Sequence, residues 1–92
     1  MIHVTRFSAP WCGPCKALAP EFKKLEEQFT DIKFITVDVD EKPMIAQLYE
    51  IRTVPTVIIE KNNTTINRMV GLQSKQKYID AIQQALEPNE AI

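Results

Sequence analysis

Apolar positions in this chain alternate between short strand-like runs and one-sided helical stripes. Ile2, Val4 and Phe7 predict a short strand over Met1–Phe7. Leu18, Phe22, Leu25 and Phe29 follow at spacings of four, three and four, one face of a helix over Lys16–Phe29. Glu21, Lys23, Lys24, Glu26 and Glu27 cover its solvent side. Pro20 lies inside that helix and predicts a kink, because it removes an N–H and crowds the preceding turn. Phe34, Ile35, Val37 and Val39 predict a second strand over Lys33–Val39, and Met44–Tyr49 a short helix after Pro43. Thr56–Glu60 is almost unbroken apolar sequence, as expected of a central strand. Lys61–Thr64 predicts a turn, since asparagine tolerates the left-handed backbone, and Thr65–Val70 returns as the antiparallel hairpin partner. Gly71 ends that strand, and Ser74 caps a last helix whose apolar face is Tyr78, Ile79, Ile82, Ala85 and Leu86. Glu87–Ile92, with Pro88, is expected to fray. The order is βαβαββα. Its opening strand, helix and strand predict a right-handed crossover with parallel strands.

Size and charge narrow the function. At 92 residues a single domain, 1–92, with a small core is expected. A formal charge of −1 gives no footprint for nucleic acid or an anionic membrane surface. No apolar run approaches the ~20 residues of a membrane span, and no basic-then-apolar leader is present, so a cytoplasmic protein is expected. Two cysteines are too few for a disulfide framework.

Both cysteines fall in Trp11-Cys12-Gly13-Pro14-Cys15. The spacing points to redox chemistry or to half of a metal site. Structural zinc needs four ligands, and the only histidine, His3, stands a full strand away, so a metal would have to be shared between chains. Two buried structural thiols are the plainer alternative. The redox reading rests on position. Cys12 sits where a strand hands over to a helix, and the free N–H groups and partial positive charge of a helix N-terminus stabilise a thiolate. Cys15 is close enough to close a small ring onto Cys12, so one sulfur can attack and the other resolve. Cys12, ahead of the helix, is expected to be the exposed thiol and Cys15 the shielded one. Gly13 is expected to let the backbone turn, and Pro14 suits a first helical turn.

The run Trp11-Cys12-Gly13-Pro14-Cys15-Lys16, set between strand and helix, resembles the active site of the thioredoxin family. Pro20 matches the family's proline five residues after the second cysteine. The resemblance extends from Ile2 to Leu86. It implies the minimal thioredoxin-like α/β fold: a four-stranded mixed sheet flanked by helices, without the strand and helix that precede the first strand in longer members. It further implies that Pro55, in Val54-Pro55-Thr56, is the family's cis-proline. A cis bond would turn the Val54 backbone outward beside the sulfurs, where a substrate segment can pair as a short extra strand. Gly71 would wall the same groove or merely end its strand. Trp11 would be a partly exposed docking surface, and Gly13, Pro14, Val54, Pro55 and Gly71 would complete the substrate-binding set. Tyr49, Met1, Met44 and Met69 are read as packing residues, the acidic run Asp38–Glu41 as a solvated strand end, and His3 is assigned no role.

The implied activity is that of a thiol–disulfide oxidoreductase reducing protein disulfides through Cys12 and Cys15. No bound cofactor beyond the redox-active disulfide and no metal are implied. The expected partners are disulfide-containing target proteins and a flavin-containing thioredoxin reductase, with the chain a monomer. A glutaredoxin-like protein recycled by glutathione is the enzymatic alternative. The short length favours it, while Gly71-Leu72, where glutaredoxins usually carry a glycine pair, and the residues between the cysteines oppose it. A binding or assembly subunit with idle thiols is the alternative of another class. One departure stands out. Arg6 and Thr36 occupy the places where thioredoxins usually carry a buried aspartate and its lysine partner. A buried guanidinium needs water or a carboxylate. Asp38 is expected on the face of Thr36, so an Arg6–Asp38 pair tuning the thiols is expected, or an Arg6 that reaches solvent.

Overall fold

Seven elements follow in the computed structural model, which describes residues 1–87: β1 (Ile2–Ser8), α1 (Gly13–Gln28), β2 (Lys33–Asp38), α2 (Pro43–Leu48), β3 (Thr56–Lys61), β4 (Thr64–Val70) and α3 (Lys75–Leu86). The sheet order is β2-β1-β3-β4. β1 runs parallel to β2 and antiparallel to β3, and β3 runs antiparallel to β4. The mixed four-stranded sheet expected from the sequence is therefore present, with β1 and β3 central. The expected fraying beyond Glu87 lies outside the described residues.

Strand alternation divides the core between two faces. Val4, Val57, Ile59 and Met69 meet Leu18, Phe22 and Leu25 of α1 and Tyr78, Ile82 and Ala85 of α3. Phe7, Val37 and Ile58 point the other way, toward Tyr49 and Ile51 at the end of α2. A third small cluster of Ala9, Cys12 and Cys15, packed by Val39 and Val54, sits at the end of the sheet where β1 gives way to α1.

The hairpin turn is as expected. Asn62 and Asn63 both take positive φ, 53° and 69°, the pattern of a two-residue turn that matches strand twist. Ser74 caps α3 by accepting the Lys77 N–H at 3.3 Å. α1 begins three residues earlier than the apolar stripe indicates. The stripe marks only the buried face, whereas the start is set by Pro14 in the first turn and by Cys12 as N-cap. α1 then continues through Pro20 as one element. Two features were not anticipated. Glu50 takes φ 54° just after α2, and Arg68 of β4 reaches across to donate to the carbonyls of Tyr49 and Glu50 at 2.6 and 2.7 Å. These bonds hold the last turn of α2 against the sheet.

Candidate active site

The site is assembled where β1 ends. Cys12 is the N-cap of α1 in extended backbone conformation, and its Sγ accepts the Cys15 N–H at 3.2 Å. Cys12 and Cys15 form a disulfide with their Cα atoms 5.2 Å apart. The cap is thus supplied by a sulfur, at the point where the helix presents its unpaired N–H groups.

The two sulfurs differ less in exposure than the sequence suggests. Cys12 is 4% exposed and Cys15 1%. Cys12 is not an open thiol in this oxidised form: Val39 and Val54 pack over the pair. The asymmetry lies in contacts instead. Cys12 faces the mouth and the Val54 carbonyl, whose oxygen is 3.5 Å from its Sγ. A disulfide sulfur has no hydrogen to donate, so this is a contact here and becomes a hydrogen bond only for a thiol. Cys15 instead lines a cleft of about 280 Å³ on the far side of the helix start, with Arg6, Ser8, Lys16, Thr36 and Asp38.

Val54 and Pro55 close the mouth from the β3 side. Their peptide bond is cis, and Pro55 is buried. The Pro55 carbonyl accepts the Gly71 N–H at 2.8 Å, which ties the loop before β3 to the end of β4. Gly71 has φ +81°, with no atom within 4 Å of an added Cβ, so its backbone conformation rather than crowding calls for glycine. Tyr78 of α3 braces the same corner. Its hydroxyl accepts the Gln73 N–H at 3.0 Å and donates to the Gly71 carbonyl at 3.5 Å. Burial pushes that hydroxyl above the usual tyrosine range, and the Gln73 N–H partly offsets the rise.

Gly13 corrects an expectation. It opens α1, and its φ is not in the left-handed range that would demand glycine. An added Cβ would meet nothing within 4 Å, so Gly13 leaves a bare surface between the sulfurs and Pro14 rather than enabling a turn.

Trp11 is 67% exposed beside the disulfide. Its indole Nε1–H donates to Asp40 Oδ2 at 3.0 Å. Asp40 belongs to the acidic run expected to be a solvated strand end, and nothing local in the sequence pairs it with Trp11. The signal is tertiary. β1 and β2 run parallel in register, Ser8 opposite Asp38, so the loops beyond their ends emerge side by side.

Arg6 does not pair with Asp38. It stands directly opposite Thr36 in the register, and its Nη2 donates to Thr36 Oγ1 at 3.2 Å. The guanidinium carbon lies 5.0 Å above the Phe22 ring, a cation–π contact from β1 to α1. Asp38 is otherwise engaged: its Oδ1 accepts the N–H groups of Asp40 and Glu41 at 2.8 and 3.4 Å, a turn closed by its own side chain. Among the described residues, the ion pair within 4.0 Å is Lys24 with Glu21, and the Arg6 Nε is buried without a partner. Burial lowers the Arg6 pKa and Glu26 partly restores it. A guanidinium is basic enough that the lowered group still carries its charge at neutral pH.

Among the described residues, no three histidine, cysteine, aspartate or glutamate side chains converge as metal ligands, and no helix is long and apolar enough to cross a membrane.

Residues 1–84 match the family model of Thioredoxin. A thioredoxin of Mycoplasma genitalium is 40% identical over 77 residues, covering 84% of this chain and 76% of the relative. A rice (Oryza sativa subsp. japonica) thioredoxin is 47% identical over 68 residues, covering 74% of this chain but 50% of the relative, so the chain spans about half of that protein. Among solved structures, a thioredoxin from Nicotiana alata superposes with a TM-score of 0.90 at 32% identity, over 94% of this chain and 74% of that one.

Proposed function

The chain belongs to the thioredoxin family of thiol–disulfide oxidoreductases, and from that premise we propose that it reduces disulfides in other proteins, with Cys12 as the attacking sulfur and Cys15 as the resolving one. The observation that carries this reading is the Cys12 sulfur itself: it caps α1, accepts the Cys15 N–H, and is joined to Cys15 beside the Val54–Pro55 edge.

On reduction, the Cys15 N–H and the helix N-terminus favour a negative charge on Cys12, while the Val54 carbonyl favours a thiol. The donor is the nearer contact and acts together with the helix N-terminus, so the balance tips toward thiolate. Cys12 thiolate attacks one sulfur of the target disulfide. A Cys12–target bond forms, and the other target sulfur leaves as thiolate. Cys15 thiolate then attacks Cys12. The Cys12–Cys15 bond forms and the second target sulfur leaves with its electron pair. Two electrons have passed from the dithiol to the target.

Binding falls to the rim. Val54 offers its backbone as a strand edge, Pro55 brings no donor that would compete, and Gly71 leaves the adjoining wall open. Trp11, fixed by Asp40, gives an apolar plate on one side, and Gly13 and Pro14 give a bare surface between the two. One sheet with a packed core on each face supports reading the chain as a single domain, 1–92, and the proposed working form is a monomer. The chemistry needs no bound cofactor beyond the disulfide. It suits the cytoplasm, where thiols are kept reduced, and a flavin-containing thioredoxin reductase as electron donor.

The test is a recycling assay on a protein disulfide. NADPH with thioredoxin reductase should sustain turnover, glutathione should not, and Cys12→Ser or Cys15→Ser should abolish it. Turnover supported by glutathione alone, or activity in the double cysteine variant, would overturn the reading.

A further inference from the structure

The cleft behind Cys15 contains a cation that the exchange scheme has not used. Arg6 projects from β1 between the sheet and α1, lodged over Phe22 and bonded through one nitrogen to Thr36. Among the described residues no carboxylate lies within 4.0 Å of it, and its Nε is buried unpartnered. The charge is partly desolvated, with no described carboxylate in contact with it and Glu26 offsetting it only in part. Arg6 and Cys15 line the same cleft. The other charged groups there are Lys16 of α1 and Asp38 of β2. Glu26, further along α1, acts on Arg6, and Asp40 is taken up by Trp11. Of the charged groups that line the cleft two are cations and one is a carboxylate, with Glu26 offsetting Arg6 from beyond it. Asp38 is further quenched by the two backbone N–H groups it accepts.

Cys15 is 1% exposed. Burial in apolar surroundings disfavours its thiolate, yet the second half of the exchange requires that thiolate. We propose that Arg6 is a positioning residue for this second step: its guanidinium, lodged in the cleft that Cys15 lines, holds the Cys15 sulfur in its ionised form and so sets how fast mixed disulfides are resolved. The proposal rests on the exchange roles given above. The step is balanced within the molecule. Cys15 gives its proton to water at the open, Lys16 side of the cleft, attacks Cys12, and expels the target sulfur as thiolate. Arg6 gains and loses no proton.

Resolution can be read directly. Reduced protein in excess is mixed with the neutral chromogenic disulfide dithiodipyridine. The first thiopyridone is released as Cys12 attacks and the second as Cys15 resolves. An opposite charge within about 4–6 Å shifts an ionisation by about one to three units. Asp38, Glu26 and partial solvent access favour the lower figure. Arg6→Leu should therefore move the inflection of the second phase upward by about one pH unit. A tenfold loss of thiolate is partly offset by a more basic, about threefold better nucleophile. At neutral pH the second phase should slow about threefold, and at high pH, where Cys15 is ionised in both proteins, it should become about threefold faster. Arg6→Lys should keep the native profile, and Arg6→Gln should follow Arg6→Leu while retaining a donor for Thr36. The first phase should stay within about twofold in all of them.

That crossing of the two profiles separates charge from packing, because a loosened cleft would alter the rate by one factor at every pH. Coincident second-phase profiles in native protein and Arg6→Gln would overturn the proposal and leave the exchange roles standing. A first phase that survives Cys12→Ser but not Cys15→Ser would overturn those roles and the proposal with them. Should Arg6→Leu fail to fold, the Arg6→Lys and Arg6→Gln pair carries the same comparison.

Discussion

The two glycines offer a matched pair of substitutions with opposite expected signs. Gly71 has φ +81° and Gly13 does not lie in the left-handed range, while an added Cβ meets nothing within 4 Å at either. Crowding is therefore equal, and only backbone conformation differs. Alanine in left-handed conformation costs about 1–2 kcal/mol. Its smaller unfolded-state entropy returns about 0.4–1 kcal/mol. Gly71→Ala should thus destabilise by about 1 kcal/mol. At Gly13 the conformation is helical, so only the entropic gain remains and Gly13→Ala should be neutral or stabilise by up to about 1 kcal/mol. For a domain of this size, the resulting separation of about 1–2 kcal/mol corresponds to roughly 4–16 °C in Tm. Melting of both oxidised variants beside the native protein measures it. The Gly71 N–H also holds the Pro55 carbonyl at 2.8 Å, so any backbone shift at Gly71 reaches the groove. Turnover of a protein disulfide should then fall more than turnover of a small disulfide. If Gly71→Ala melts with or above Gly13→Ala, the conformational argument is wrong.

Trp11 is the sole tryptophan, so its emission reports its surroundings. Asp40→Ala removes the acceptor of its indole N–H and should change that emission, with stability altered by no more than about 0.5 kcal/mol, as at other exposed sites. Unchanged emission would show that the bond does not hold the ring. The alkaline limb of stability should carry a tyrosine signature. Burial raises the Tyr49 hydroxyl above 10.0, with Glu60 adding to the rise, and burial raises Tyr78 as well. Above the unfolded tyrosine pKa of about 10, the folded state keeps protons that the unfolded state has released, so stability is full below that pH and falls as pH climbs past it. Tyr49→Phe should flatten this fall, and a denaturation series across the alkaline range that is identical to native would count against the raised Tyr49 hydroxyl.

Much of the fold could be read in advance because each element carries its own local signal. The Leu18, Phe22 and Leu25 stripe faces the sheet as its spacing requires, Thr56–Ile59 is buried throughout, and Asn62-Asn63 turns where two residues must take positive φ. The sulfur pair was equally legible, since Pro14 and the strand-to-helix hand-over place Cys12 at the cap. What escaped is carried by tertiary register. Alternation puts Asp38 on the face of Thr36, but it does not show that Asp38 is consumed by the N–H groups of its own turn, so the Arg6–Asp38 pair was an attractive error. The Trp11–Asp40 bond spans 29 residues and the Arg68 clamp on α2 spans 19, and neither has a periodicity to announce it. The cover over the disulfide is tertiary in the same way: Val39 and Val54 arrive from distant loops to pack on it.

The central claim is that Cys12 is the attacking sulfur because it caps α1 and accepts the Cys15 N–H, whereas Cys15 lies behind it against the cleft. Brief alkylation of the fully reduced protein near neutral pH, stopped by acid and mapped by peptide mass spectrometry, tests it most directly. The account predicts that Cys12 is labelled well before Cys15 and that the preference shrinks as pH rises and both sulfurs ionise. Equal labelling at neutral pH, or Cys15 labelled first, would contradict it.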